Sequence, residues 1–158
     1  MFRDVTRKKQ KLTEAECIAL LQVQPRGVLA LLGDEDYPYA VPTNHWYDPE
    51  SGSLFFHSGM TGHKIDAIRR CDKASYCVVS EGVRRDGDWA LTYQSVIVFG
   101  RVRIVEDHDR AIELTRRLSL QFTDDLDYLE QEIKSAGART LVFELAPAHI
   151  TGKTVHEA

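Results

Sequence analysis

The residue types best suited to chemistry gather in Phe56-His57-Ser58-Gly59-Met60-Thr61-Gly62-His63-Lys64-Ile65. An apolar strand ends there, two glycines permit a tight loop, and a helix is predicted to start with Thr61 as its N-cap. The first N–H groups of a helix have no intrahelical partners and attract anions. Lys64, at the third helical position, opposes the helix dipole unless an anion shares the site. The hydroxyls of Ser58 and Thr61 and the rings of His57 and His63 add donors. A phosphate-binding turn is one reading, and an ordinary strand-to-helix turn with a surface lysine is the other. A Walker A loop is excluded, because Gly62 is followed by His63 and not by Lys-Ser or Lys-Thr.

A second stretch, Tyr37-Pro38-Tyr39-Ala40-Val41-Pro42-Thr43-Asn44-His45-Trp46-Tyr47, mixes aromatic rings, two prolines and hydrogen-bonding side chains. A flat ring with polar edges could lie along such a strand and use its unpaired backbone groups. An aromatic edge strand or a dimer contact suits the same residues. His57, His63, Cys71 and Cys77 invite a metal reading, but their spacing matches no compact zinc knuckle and no metal is expected. A Cys–His nucleophile pair lacks a third, orienting group.

These segments need elements to hold them. Thr13-Glu14-Ala15-Glu16 is a capping box, with Leu12 and Cys17 as its hydrophobic staple, and predicts a helix over 13–22. Strands are predicted at 28–32, at 37–47 with alternating faces, and at 54–57, forming an antiparallel meander. Pro38 and Pro42 cannot donate to a ladder, so the middle strand needs a free edge or a bulge. A short helix follows over 62–71, then a strand over 74–79, a polar loop from Glu81 to Asp88, and a long β-branched strand over 92–105 with a bend or bulge at Gly100. Asp107 is positioned to cap a helix carrying Ala111, Ile112, Leu114, Leu118 and Phe122. A further helix over 125–136 stops at Gly137, and a last strand over 140–145 precedes Pro147. The pattern predicts a mainly β (α+β) domain, a six-stranded antiparallel barrel with flanking helices.

Composition bounds the rest. The 158 residues are 43% apolar and 28% charged, enough for one packed domain spanning 1–158. The net charge of −4 disfavours a nucleic-acid partner. Residues 1–11 form a basic arm, expected to be solvated. No apolar run approaches the roughly 20 residues of a membrane span, and the first residues lack the apolar core of a secretory signal. Three cysteines without framework spacing suggest reduced thiols and a cytoplasmic protein.

Five segments together resemble a known family: Arg26-Gly27-Val28-Leu29-Ala30; Gly33-Asp34 with Tyr37-Pro38-Tyr39-Ala40-Val41-Pro42; Phe56-His57 with Gly62-His63-Lys64-Ile65; Ser95 to Arg101; and Ile150-Thr151-Gly152-Lys153. The chain is similar to the FMN-binding split β-barrel proteins of the pyridoxamine 5′-phosphate oxidase class, and within it to the subgroup named after 5-nitroimidazole resistance. The resemblance implies a six-stranded split barrel, a homodimer and an FMN at the subunit interface. It implies an isoalloxazine along Val41, Pro42, Thr43 and Asn44. It also places His57 and Ser58 near the ribityl chain and phosphate, His63 and Lys64 on the phosphate, and Ser95 reaching the flavin. His45, near the implied ring position, is a candidate proton donor or substrate contact.

Four family features are missing. A basic residue stands in true pyridoxamine phosphate oxidases where this chain has Ala40, a Lys where it has His45, an Arg where it has His63, and the C-terminal Arg-x-His is absent. The implied activity is therefore an FMN-dependent oxidoreductase acting on small molecules with electrons from a nicotinamide donor, and not vitamin oxidation. A non-catalytic flavin-binding module, or a barrel holding haem or another flavin, uses the same elements.

Overall fold

The computed structural model describes Met1–Glu157. Eight strands form one antiparallel sheet: β1 (Arg26–Leu32), β2 (Pro38–Asn44), β3 (Trp46–Tyr47), β4 (Leu54–Gly59), β5 (Lys73–Val79), β6 (Val83–Arg84), β7 (Leu91–Ile104) and β8 (Thr140–His156). They lie in the order β2-β1-β5-β7-β8-β4-β3, with β6 pairing off the side of β7. The sheet curls into a split barrel, with β2 approaching β4 but not pairing with it. The helices are α1 (Glu14–Val23), α2 (His63–Arg70), α3 (His108–Ser119) and α4 (Leu126–Ala136). The six long strands stand where strands were predicted, although β8 runs on to His156, well beyond the predicted end at 145. The two extra strands are dipeptides, one cut from the predicted 37–47 strand and one from the polar loop.

Alternation explains the layers. Leu29 and Leu31 of β1, Tyr76 and Val78 of β5, and Val96 and Val98 of β7 point inward and are buried. They meet Leu54, Phe56, Phe143 and Leu145 inside the barrel, closed by Leu20 and Leu21 of α1 and Ile65 and Ile68 of α2. A smaller core lies behind β4, where α3 presses Ala111, Leu114 and Leu118 onto Phe55 and Val142. The α1 start has the predicted capping box, the Thr13 N–H donating to Glu16 Oε2 at 2.7 Å and the Glu16 N–H to Thr13 Oγ1 at 3.3 Å. Asp107 and Asp125 cap α3 and α4 through Arg110 N–H and Tyr128 N–H.

Several expectations change. β4 pairs with β3 and β8 rather than with β2, so residues 26–57 are not a continuous meander. The chain turns at His45, which belongs to neither β2 nor β3. Pro147 does not end the last strand: the ladder steps from the Phe99–His149 pair to the Gly100–Pro147 pair, and the bulge absorbs the missing donor. Phe122 lies beyond α3 and is exposed. The basic arm is folded back: Asp4 accepts from Lys8 and Lys11 at 2.6 and 2.8 Å, and Phe2 stacks on Phe99 and His149. Arg3, Arg7, Lys8, Lys9 and Lys11 all remain exposed, as expected of a solvated arm, while Asp4 and Phe2 tie the segment down.

Gly100 is required by closeness. A Cβ there would lie 2.2 Å from the Ala146 carbonyl oxygen, within the strand bend. Gly100→Ala is expected to destabilise the fold by about 1–3 kcal/mol through overpacking. Urea unfolding measures it, and an unchanged midpoint would show that the bend relaxes freely.

Candidate functional site

The turn singled out in the sequence lines a cavity of about 490 Å³ between the end of β4, the start of α2, and the α3–α4 pair. His57, Ser58 and Gly59 form one wall, Lys64 reaches in from α2, and Thr115, Ser119, Arg139 and Thr140 face them. Two cationic side chains and several hydroxyls suit an anionic group. Glu132 is the acid among the lining residues.

The local structure departs from the predicted cap. Gly62, with φ of +121°, is the N-cap, and Thr61 lies outside the helix. That backbone conformation strains any residue with a side chain, which is why glycine precedes the helix. Lys64 is consequently at the second helical position. Its ammonium lies 5.8 Å from the Phe143 ring centre, and burial lowers its pKa. Burial, together with the Lys64 charge, also holds the His57 imidazole below its ordinary value. A positive charge made costly by burial and by the helix start is a site that an anion would relieve.

His63 and Lys64, neighbours in sequence, diverge in space. The His63 ring stacks on Tyr39 at 4.1 Å, and its Nε2 accepts from the Asp34 N–H at 3.3 Å. It is tied to the β1–β2 turn and does not line the cavity that Lys64 enters.

Val41, Pro42, Thr43 and Asn44 lie on β2, at the free edge of the sheet, where the prolines required it to be. Val41 packs toward the core, whereas Pro42 is exposed on the other face. Asn44 Oδ1 accepts from Arg26 Nε at 2.7 Å. Ser95 lies on the outer face of β7, between Val79 and Lys153, away from the cavity. One chain thus presents the expected residues on separate surfaces.

His45 is placed differently from its expected role. It is 0% exposed, and all four of its polar groups are engaged within the protein. Its N–H donates to the Pro25 carbonyl at 2.9 Å, and its own carbonyl accepts from Gln121 Nε2 at 2.9 Å. Nε2 donates to the Leu21 carbonyl at 2.7 Å, and Nδ1 meets the Tyr76 hydroxyl at 2.9 Å. Burial lowers its pKa to about 4, so the ring is neutral near pH 7. A sealed, neutral imidazole whose two ring nitrogens both face protein groups does not meet a substrate, and His45 is placed as a core residue.

Arg139, Thr115 and Ser119 were missed in the sequence. Arg139 sits at the junction between the α4 region and β8, and it reaches the cavity because Thr140 pairs with Gly59 across the sheet. That pairing joins residues far apart in the chain, and no local pattern announces it. Among the described residues no group of three or more His, Cys, Asp or Glu side chains gathers as a metal site.

An antiparallel split barrel with an open, proline-bearing edge strand and a cationic turn after β4 defines a class of small split-barrel proteins. The sequence profile of the pyridoxamine 5′-phosphate oxidase family matches residues 13–154, and the chain belongs to that family. No curated protein matches the sequence. Among solved structures, a provisionally named 5-nitroimidazole antibiotic resistance protein from Bacteroides thetaiotaomicron VPI-5482 is similar, with a TM-score of 0.76 and 19% identity over 92% of this chain and 87% of that one. A flavocytochrome from Azotobacter vinelandii gives 0.77 at 17% identity, over 96% and 72%. An FAD-binding protein from Mesorhizobium loti gives 0.66 at 24% identity, over 92% and 97%. These likenesses establish a shared fold.

Proposed function

We propose that the protein binds FMN and acts as an oxidoreductase, passing electrons from a nicotinamide donor to small acceptors such as nitroimidazole-type compounds. The observation that carries the reading is the cavity after β4, where Lys64 and Arg139 converge with Ser58 and Thr140 in a member of this family. Its donor set fits the phosphate of a flavin mononucleotide, and the free edge of β2 over Val41–Asn44 offers backbone groups to a flat polar ring. The flavin would supply the redox chemistry. The chain's residues would hold the anion at Lys64, align the ring along β2 and exclude water at the ring's inner side. Similar proteins include FAD binders by name, which supports a flavin as the cofactor class.

A homodimer completes this reading. Pro42, Val28, Cys77, Ile97 and Thr151 are successive cross-strand neighbours on the outer sheet face. Val28 and Ile97 are each 39% exposed, and Val79 on the same face is 49% exposed. A second copy on this face would cover the apolar row and bring Ser95, which lies on the same face, into the interface. The cysteines Cys17, Cys71 and Cys77 are free thiols, in keeping with a cytoplasmic protein. No helix among the described residues is long and apolar enough to cross a membrane.

The visible spectrum of the purified protein tests the cofactor. Flavin bands, with FMN released on denaturation, support the reading; a colourless protein that ignores added FMN overturns it. Steady NADH oxidation with a nitroaromatic acceptor tests the activity. The burial of His45 favours one second reading, a flavin-binding module without turnover, because it removes the one candidate proton donor. Lys64→Ala is expected to weaken FMN binding by roughly 1.5–3 kcal/mol, the worth of a charge-assisted hydrogen bond. Titration calorimetry measures it, and unchanged affinity would place the phosphate elsewhere.

A further inference from the structure

Tyr76 and His45 form a buried chain of hydrogen bonds that ends on the strand assigned to the flavin ring. The Tyr76 hydroxyl lies 2.9 Å from the Thr43 carbonyl oxygen and at the same distance from His45 Nδ1. To reach β2 from β5, Tyr76 passes beneath β1 at Gly27. A Cβ on Gly27 would lie 2.7 Å from Tyr76 Cζ, 2.8 Å from its hydroxyl oxygen and 2.5 Å from the Cys77 carbonyl oxygen. The passage therefore exists because residue 27 is glycine. At its other end the chain is anchored on the last turn of α1, through the Leu21 carbonyl.

The proton count gives this chain its character. The Leu21 carbonyl only accepts, so the hydrogen of the neutral His45 ring is on Nε2. Nδ1 is then an acceptor, and the single Tyr76 hydroxyl hydrogen faces two acceptors, Nδ1 and the Thr43 carbonyl. Thr43 is therefore held by a donor whose direction depends on His45. The backbone of His45 is fixed independently, through Pro25 and Gln121, so the bend at which β2 ends has little freedom.

We infer that Tyr76 and His45 are positioning residues: through the Thr43 carbonyl they fix the edge of β2 and set the geometry and electronic surroundings of a flavin ring lying along it. This rests on the flavin reading above. A ligand edge that is rigid before binding loses less entropy when the ligand arrives. The carbonyl's remaining acceptor capacity is governed by a residue that touches no ligand.

The test compares FMN binding by the full chain and by Tyr76→Phe, which removes one oxygen and keeps the ring. The expected result is an FMN affinity about tenfold weaker, the scale of one hydrogen bond, with shifted absorption bands and a shifted midpoint potential of bound FMN. Bound FMN with unchanged affinity, bands and potential overturns the inference. If Tyr76→Phe does not fold, His45→Gln interrupts the same chain from its other end and is read by the same measurements. If the unaltered protein does not bind FMN, the flavin reading fails, and amide hydrogen exchange at Thr43, Asn44 and His45 then tests the link alone. Faster exchange at these three in Tyr76→Phe supports the positioning role, and unchanged exchange overturns it.

Discussion

Acidification from pH 7 to pH 4 is expected to remove on the order of 3 kcal/mol of stability through His45. Burial lowers the folded pKa of His45 from 6.5 to about 4. Between these values the unfolded chain takes up a proton that the folded chain refuses, so stability falls as pH falls. The contribution is fully present above about pH 6.5 and has gone below about pH 4. His57, also held low by burial and by Lys64, acts in the same direction. Burial alone would raise Glu144, but the bonds from Arg103 and Ser53 hold it low, so its contribution goes only at more acid pH. Urea unfolding at several pH values, for the protein and for His45→Gln, isolates the histidine. The variant is expected to show a much flatter slope between pH 6.5 and 4.5, and equal slopes would mean that His45 protonates without cost.

Phe56→Ala is expected to destabilise the protein by about 3–5 kcal/mol. Phe56 is 0% exposed and central to the barrel. Its ring stacks on Phe143 at 4.9 Å and meets Tyr76 edge-on at 5.0 Å. Truncation leaves a cavity among side chains that belong to three strands and cannot all move into it. It also loosens Tyr76, so the proposed flavin binding is expected to weaken along with the fold. Set against a typical margin of about 5–15 kcal/mol, the loss is large. Chemical denaturation checks it, and a loss below about 1 kcal/mol would show that the core repacks around the gap.

The six long strands and four helices were legible because their signals are local. The Thr13–Glu16 box, the prolines of the edge strand and the glycine at the Gly100 bulge each state a geometry within a few residues. The candidate site was legible in part. Lys64, His57 and Ser58 lie within one turn, and the structure brings them to one cavity. Arg139 could not be found this way, because the β4–β8 register delivers it. The separation of His63 from Lys64 was equally hidden: adjacent helical residues point in different directions, and Tyr39 and Asp34 decide where His63 goes. His45 carries the clearest lesson. In a strand rich in polar and aromatic residues it looks chemical, yet its partners are a helix carbonyl, a tyrosine from β5 and a glutamine beyond α3.

β8 pairs with both β7 and β4, and α3 and α4 intervene between β7 and β8. The sheet is therefore assembled from two pieces, β2-β1-β5-β7 and the β3–β4 hairpin, that share no strand pairing until residues 140–156 join them. During synthesis the joining strand leaves the ribosome after every strand it pairs with. Until then both β4 edges other than its short pairing to β3 stay open, and Phe56 has no Phe143 to stack on. Barrels dominated by such distant pairings fold in milliseconds to seconds rather than microseconds. The cavity that Lys64 enters, walled by β4 on one side and the start of β8 on the other, is thus among the last features of the molecule to exist.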